Sequence, residues 1–291
     1  MNEQTYLKNY KKFMLIPIGL LVLSILILSI TYVRTGDIIT RDISLKGGVS
    51  ATIQYTQEIN IEDLEQKLTQ DLGTNNVLIR KLTELGTNQI TGLVIETDLE
   101  DEQLLRTSLE KNLDITLTSE NSSISVTSSI LGENFYNQMI KALFLTFLFM
   151  GITIAIIYRT LIPSLAVVQA PISNALITLA ILSLFKIPVS MAGISALLLA
   201  IGYSVDTDVL LTTKLLKRQE DTPFNRLIGA LKTGLTMTAT TLVALLLGLI
   251  LSTSLILKEM FLVLFITILF DLTSTYLMNA GILMWYIEKK K

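Results

Sequence analysis

Four ionisable side chains fall inside strongly apolar stretches of the 291-residue sequence: Asp206, Asp208, Lys232 and Asp271. An acid at the centre of a bilayer costs about 2.5–3.5 kcal/mol even on lenient insertion scales, so such residues face protein or water and are candidates for ion handling. Asp206 and Asp208 are two residues apart, about 200° around a helix, and only one of them can face a given neighbour. Asp208 shares a polar line with Ser204 and Thr212, whereas Asp206 follows Gly202, a small residue that permits close helix approach. Lys232 opens a second line with Thr236 and Thr240, and Asp271 shares a stripe with Ser274 and Thr267 or Thr275. At ~1.5 Å per residue Lys232 lies roughly 9 Å inside Arg226, a depth that matches the two aspartates. Pairing lowers the cost of burying either charge, so an Asp–Lys232 pair is expected, with Asp208 the first choice, inside a seam of Asp, Lys, Thr and Ser shared by three helices. The plainer alternative is that Lys232 snorkels to the head groups and the threonines bond their own helix carbonyls.

Other chemistries find little support. The chain has neither histidine nor cysteine, which removes imidazole relays, disulfides and thiolate metal sites. No Walker-type, zincin or nucleophile-elbow sequence occurs, so no enzyme, cofactor or metal is expected. Gly47-Gly48, between two alternating stretches, signals by itself a bulge or turn.

The elements that must hold these residues are mostly apolar. Hydrophobic residues make up 51% of the chain and charged ones 16%, a membrane composition. Six stretches have the roughly 20 apolar residues that a span needs: about Phe13–Tyr32, Ile140–Tyr158, Leu161–Phe185, Pro188–Thr213, Leu227–Leu251 and Met260–Tyr286. The first is too long for a signal peptide and no small-residue cleavage site follows it, so it reads as a retained anchor. Eleven lysines and arginines collect at one face, while the opposite short loops hold Lys186 and Lys258. Both termini are therefore expected in the cytoplasm.

Between the first two stretches, Arg34 to Gln138 hold 17 acids against 8 basic residues, which makes nucleic acid an improbable partner. Residues 36–135 are expected to form an external α+β domain, flanked by 1–35 with the first span and 136–291 with five more. Ile43, Leu45, Val49, Ala51, Ile53 and Tyr55 alternate as a strand, and Ile61, Leu64 and Leu68 mark a helix. Val77–Ile79 and Ile90–Ile95 flank a turn at Gly86-Thr87-Asn88; a helix over about Glu100–Leu113 and a strand within Asp114–Ser128 complete a βαββαβ, ferredoxin-like order.

Together these pieces resemble the SecF branch of the SecD/SecF family of protein-export membrane proteins. Asp42-Ile43-Ser44-Leu45-Lys46-Gly47-Gly48 is similar to a D-x-x-G-G-like sequence just outside the family's first span. Gly202-Tyr203-Ser204-Val205 resembles the family's fourth-span G-Y-S-V motif, and Lys232-Thr233 with Thr240-Thr241-Leu242 its fifth span. Bacterial members carry an acid where this chain has Thr207 and an arginine where it has Lys232; Asp206 and Asp208 on either side look like the archaeal form. The resemblance covers essentially the whole chain. It implies a half-transporter of the RND superfamily type that pairs with SecD and, in contact with the SecYE channel and membrane lipid, assists export of unfolded polypeptides at the expense of an ion gradient. The alternatives are a stand-alone homodimeric exporter of small or lipid-like molecules, and a scaffold whose buried charges only set helix register.

Overall fold

The computed structural model describes residues 9–74, 76–83, 90–216, 221–252 and 254–290. The chain divides into two compact units, one from Arg41 to Met139 and the other built from the chain before and after it.

In the first unit a one-turn helix α2 (Ile43–Lys46) precedes β1 (Gly48–Gln54), α3 (Ile61–Leu72), β2 (Val77–Thr83), β3 (Ile90–Thr97), α4 (Glu102–Leu113) and β4 (Ser122–Thr127). The four strands form one antiparallel sheet in the order β2-β3-β1-β4, with Ala51 opposite both Ile95 and Ile124. The helices start where the sequence carries caps: the Asn60 side chain accepts from Glu62 N at 3.0 Å and Asp101 from Leu104 N at 3.1 Å. Leu64, Leu68 and Leu72 of α3 and Leu105, Leu109 and Leu113 of α4 pack on Val49, Ala51, Ile53, Leu93 and Ile95 of the sheet. Each such side chain contributes about 1.5–3 kcal/mol by leaving water. The expected turn at Gly86-Thr87-Asn88 lies outside the described residues.

The first strand begins later than the alternation suggests. Ile43 and Leu45 sit in α2, because the Asp42 carbonyl accepts from Leu45 N and Lys46 N and closes a helical turn. The two glycines make this turn possible. Gly47 has φ +85° and Gly48 φ +126°, and a Cβ at either would run into backbone, of Ser129 in the first case and of Thr97 in the second. Gly132 likewise lies against Gly47, Leu45 and Lys46.

The second unit is helical: α1 (Leu15–Thr35), α5 (Ser129–Tyr158, which starts in the first unit), α6 (Leu161–Leu184), α7 (Met191–Leu216), α8 (Pro223–Leu251) and α9 (Leu255–Thr273). Then comes a π-helical turn, Ser274–Asn279, and α10 (Ala280–Lys290). Among the described residues five helices are long and apolar enough to cross a membrane: Asn9–Thr35, Ser129–Tyr158, Leu161–Leu184, Met191–Leu216 and Pro223–Leu251. The sixth expected stretch forms α9, the π-turn and α10. Burial shows where the bundle has its centre: 61% of the apolar window of α6 and 50% of that of α7 are buried, against 6% for α5 and 17% for α8. Small polar links tie the helices together. Thr31 meets Ser183 at 2.8 Å, and Glu259 of α9 accepts from Ser190 N and Oγ at 2.8 and 2.7 Å, capping the start of α7.

Candidate functional site: two buried carboxyl groups in the helix bundle

Asp271, near the end of α9, is 1% exposed and collects hydrogen bonds from three other segments. Asn174 Nδ2 of α6 donates to its Oδ1 at 2.8 Å, Thr207 Oγ1 of α7 to its Oδ2 at 2.9 Å, and Thr275 Oγ1 of the π-turn to Oδ1 at 3.3 Å. Ser204 Oγ also donates to Oδ1. Asp208, next to Thr207, is fully buried, and its Oδ1 accepts from Asn279 Nδ2 at 2.7 Å. Among the described residues its Oδ2 has no hydrogen-bond partner, and neither do Asn174 Oδ1, Asn279 Oδ1, Thr212 Oγ1 and Ser274 Oγ. Below Asp271 on the same stripe, Thr178 and Thr267 meet at 3.0 Å.

Local structure explains how two acids come to share this space. One π-helical turn inserts an extra residue per turn, and here Ser274–Asn279 directs Thr275 to one carboxyl group and Asn279 to the other. On α8, Gly234 leaves room for the Tyr276 hydroxyl, which would collide with any Cβ there. Among the described residues every neighbour that donates to Asp208 or Asp271 is a neutral amide or hydroxyl. A site that holds two carboxyl groups and no ion-pair partner within hydrogen-bond reach is charge-neutral only when it takes up protons or a small cation.

The candidates from the sequence divide between this site and the outer faces of the helices. Asp208, Asp271 and Ser204 are brought together. Asp206 and Gly202 are exposed, Tyr203 and Val205 half-buried, and nothing approaches a Cβ built at Gly202. Lys232 and Thr236 are also exposed. The expected Asp–Lys232 pair is not formed: among the described residues Lys232 makes no ion pair with either aspartate, and Thr236 Oγ1 donates to the Lys232 carbonyl at 2.9 Å, as the plainer alternative has it. The physical reason is that Asp208 is buried and bonded to Asn279 of the π-turn, whereas Asp206 and Lys232 lie on exposed faces of their helices. In the first unit, Asp42 opens α2 with Ser44 Oγ on its carboxylate at 3.0 Å, and Gly47 and Gly48 hold the turn already described. Sequence reasoning missed Asn174, Thr207 and Asn279. The available signal was that each is a hydrogen-bonding side chain inside an apolar span.

Known proteins resemble the chain along nearly its full length. Residues 107–289 match the family described as protein export membrane protein SecD/SecF, C-terminal. The chain belongs to the SecD/SecF family. The protein-export membrane protein SecF of Methanothermobacter thermautotrophicus is 34% identical over 97% of this chain and 94% of its own length. That of Pyrococcus furiosus is 33% identical over 97% and 92%. The crystal structure of SecDF, a translocon-associated membrane protein from Thermus thermophilus, shares the fold, with a TM-score of 0.78 at 17% identity. This SecD/SecF-family chain is 97% covered by that match but spans only 38% of the SecDF chain.

Proposed function

We propose that the chain is the SecF subunit of a protein-export apparatus, pairing with a SecD subunit and assisting Sec-dependent translocation of unfolded polypeptides through SecYE by coupling to an ion gradient. Near-full-length similarity to curated SecF proteins supports the subunit assignment, and the buried Asp208–Asp271 pair supports the coupling. In this reading six spans cross the cytoplasmic membrane, the last being α9, the π-turn and α10 taken together. Both termini are cytoplasmic, since the basic flanks collect at one set of helix ends. Residues 36–135 lie outside as a ferredoxin-like domain, for which the βαββαβ order and the β2-β3-β1-β4 sheet speak.

The proposed coupling works by occupancy. Asp208 and Asp271 with Ser204 form the binding end, and loading neutralises the two carboxyl groups, which lets the π-turn and α7 pack closely. Unloading leaves uncompensated charge and favours a more open arrangement of the same helices. Asp206, Lys232 and Thr236, on the exposed faces of α7 and α8, are proposed to meet complementary groups on SecD, completing a path that this chain holds only in part. The SecDF structure, of which the chain spans 38%, agrees with a larger whole.

The deciding experiment is Asp208→Asn in a strain lacking the natural gene. Asn keeps the shape and hydrogen bonding of the side chain but not its ionisation, so export stimulation should fall at least ~10-fold while the variant still accumulates and co-purifies with SecD. Full export activity in Asp208→Asn would remove the coupling role. A protein that purifies only as a homodimer around a lipid-lined cavity would favour the exporter instead.

A further inference from the structure

At the helix ends opposite Glu259, the bundle carries an open cavity of about 660 Å³ that the buried carboxyl pair does not use. It lies between Tyr158 at the end of α5, Thr160 before α6, Leu216 at the end of α7, Arg226 in α8, and Tyr286 and Lys290 in α10. Its volume is within the ~300–1,000 Å³ typical of small-ligand sites. Among the described residues two cations, Arg226 and Lys290, line it with one acid, Asp221, whose carboxylate lies within electrostatic reach of Arg226. That acid is already engaged: Asn225 Nδ2 and Thr222 N donate to its Oδ1 at 2.9 and 2.7 Å. Arg226 is held in the wall by Nη1 donating to the Leu215 carbonyl at 2.7 Å, so its guanidinium is positioned in advance. The N-terminus of α8, capped by Thr222, adds partial positive charge at the same rim. The Thr160 hydroxyl is buried and, among the described residues, has no hydrogen-bond partner. Leu216, Pro223 and Ile287 supply the apolar part of the wall.

We propose that this cavity binds the phosphate head group of an anionic phospholipid, with Arg226 and Lys290 on the phosphate and the first methylenes of the acyl chains on the apolar wall. A lipid, and no soluble phosphate, fits because the cavity lies at the ends of long apolar helices, and Arg159, Lys214 and Lys289 stand in the chain within two residues of its lining residues Tyr158, Leu216 and Lys290. Basic pockets between spans at the cytoplasmic side are where anionic head groups gather, and tyrosines such as Tyr158 and Tyr286 mark that interface.

Trp285, the one tryptophan of the chain, adjoins Tyr286 and reports on the site. The full chain is reconstituted in phosphatidylcholine nanodiscs, and quenching of Trp285 is followed as brominated phosphatidylglycerol or brominated phosphatidylcholine is added. Half-maximal quenching should need a several-fold lower fraction of phosphatidylglycerol. That preference should weaken about fivefold in Lys290→Gln and in Arg226→Gln, the contribution of one basic residue near an anionic surface. Arg226 also caps α7, so Lys290→Gln decides if Arg226→Gln fails to fold. No preference in the natural chain overturns the proposal, as does a preference retained in the variants, which would mean only annular lipid. Displacement of brominated phosphatidylglycerol by millimolar glycerol phosphate also overturns it, since the site would then serve a soluble phosphate.

Discussion

Both units bury carboxyl groups, and they neutralise them in opposite ways. In the α+β unit, Glu96 of β3 is 7% exposed and makes an ion pair with Arg80 of β2, beside Asp42. In the helical unit, Asp208 and Asp271 are held, among the described residues, by amides and hydroxyls alone. A basic partner built into the fold is a permanent counter-charge, whereas neutral donors hold the carboxyl group in place and leave its charge to be met by something that comes and goes. The contrast separates a structural acid from a pair suited to ion exchange, and substitutions in each unit test it.

The largest effect is expected at Asp271. Asp271→Ala leaves Asn174, Ser204, Thr207 and Thr275 without their shared acceptor, at about 1–3 kcal/mol for each donor that finds no other partner. Against a whole-protein stability of about 5–15 kcal/mol, the variant should fail to accumulate in membranes, while Asp271→Asn accumulates. Equal accumulation of the two, by immunoblot of membrane fractions, would mean that these hydrogen bonds do not hold the bundle together.

Next comes Gly48→Ala, which places a side chain at φ +126° and against Thr97 backbone, for a loss of about 2–4 kcal/mol. Thermal unfolding should move down by many degrees, or the α+β unit should become protease-sensitive. Gly202→Ala, at a glycine with open space around it, serves as the control and should do neither.

Glu96 gives the direct test of the comparison. Burial, then the nearby Asp42, raises its pKa from 4.5 to about 7, with Arg80 pulling the other way. Below pH 4.5 the group is protonated both folded and unfolded and has no effect. Between about 4.5 and 7 the folded state holds a proton that the unfolded state has released, so stability falls as pH rises. Above about 7 the loss is complete, at roughly 3 kcal/mol or less. Glu96→Gln should therefore flatten the unfolding temperature between pH 5 and 8 and stabilise the protein most at pH 8. A wild-type protein already flat over that range would mean that Arg80 fully compensates Glu96.

How far the sequence led depended on the signal each feature leaves. The sheet and its helices were legible because strand alternation and helical spacing are local, although the Asn60 and Asp101 caps that start α3 and α4 were not read. The α2 turn was not, since Ile43 and Leu45 fit a strand pattern and only the contacts of Gly47 and Gly48 with distant backbone reveal the helical turn. In the bundle, each charged residue inside an apolar stretch could be found one by one. Their partners depend on how helices rotate against one another, which depth along a helix does not encode. Lys232 matched the aspartates in depth and lies on a different face.

That mismatch carries the last and smallest prediction. Depth matching alone would make Lys232→Ala strongly destabilising, because it would strand a buried carboxylate at a cost of about 3–5 kcal/mol. With Lys232 exposed and Asp208 turned to Asn279, the same substitution in the isolated chain should shift stability by no more than about 0.5 kcal/mol, and Asp206→Asn no more than that. The double change Asp208→Asn with Lys232→Ala should then be additive in thermal unfolding of the purified chain, since the two sites share no partner. Repeating the cycle on the complex with SecD makes the comparison sharper. Additivity in the chain with coupling in the complex would place the Lys232 partner on SecD. Coupling already present in the isolated chain would mean that Lys232 serves the buried pair directly, and the division into a paired acid in one unit and an exchangeable pair in the other would fall.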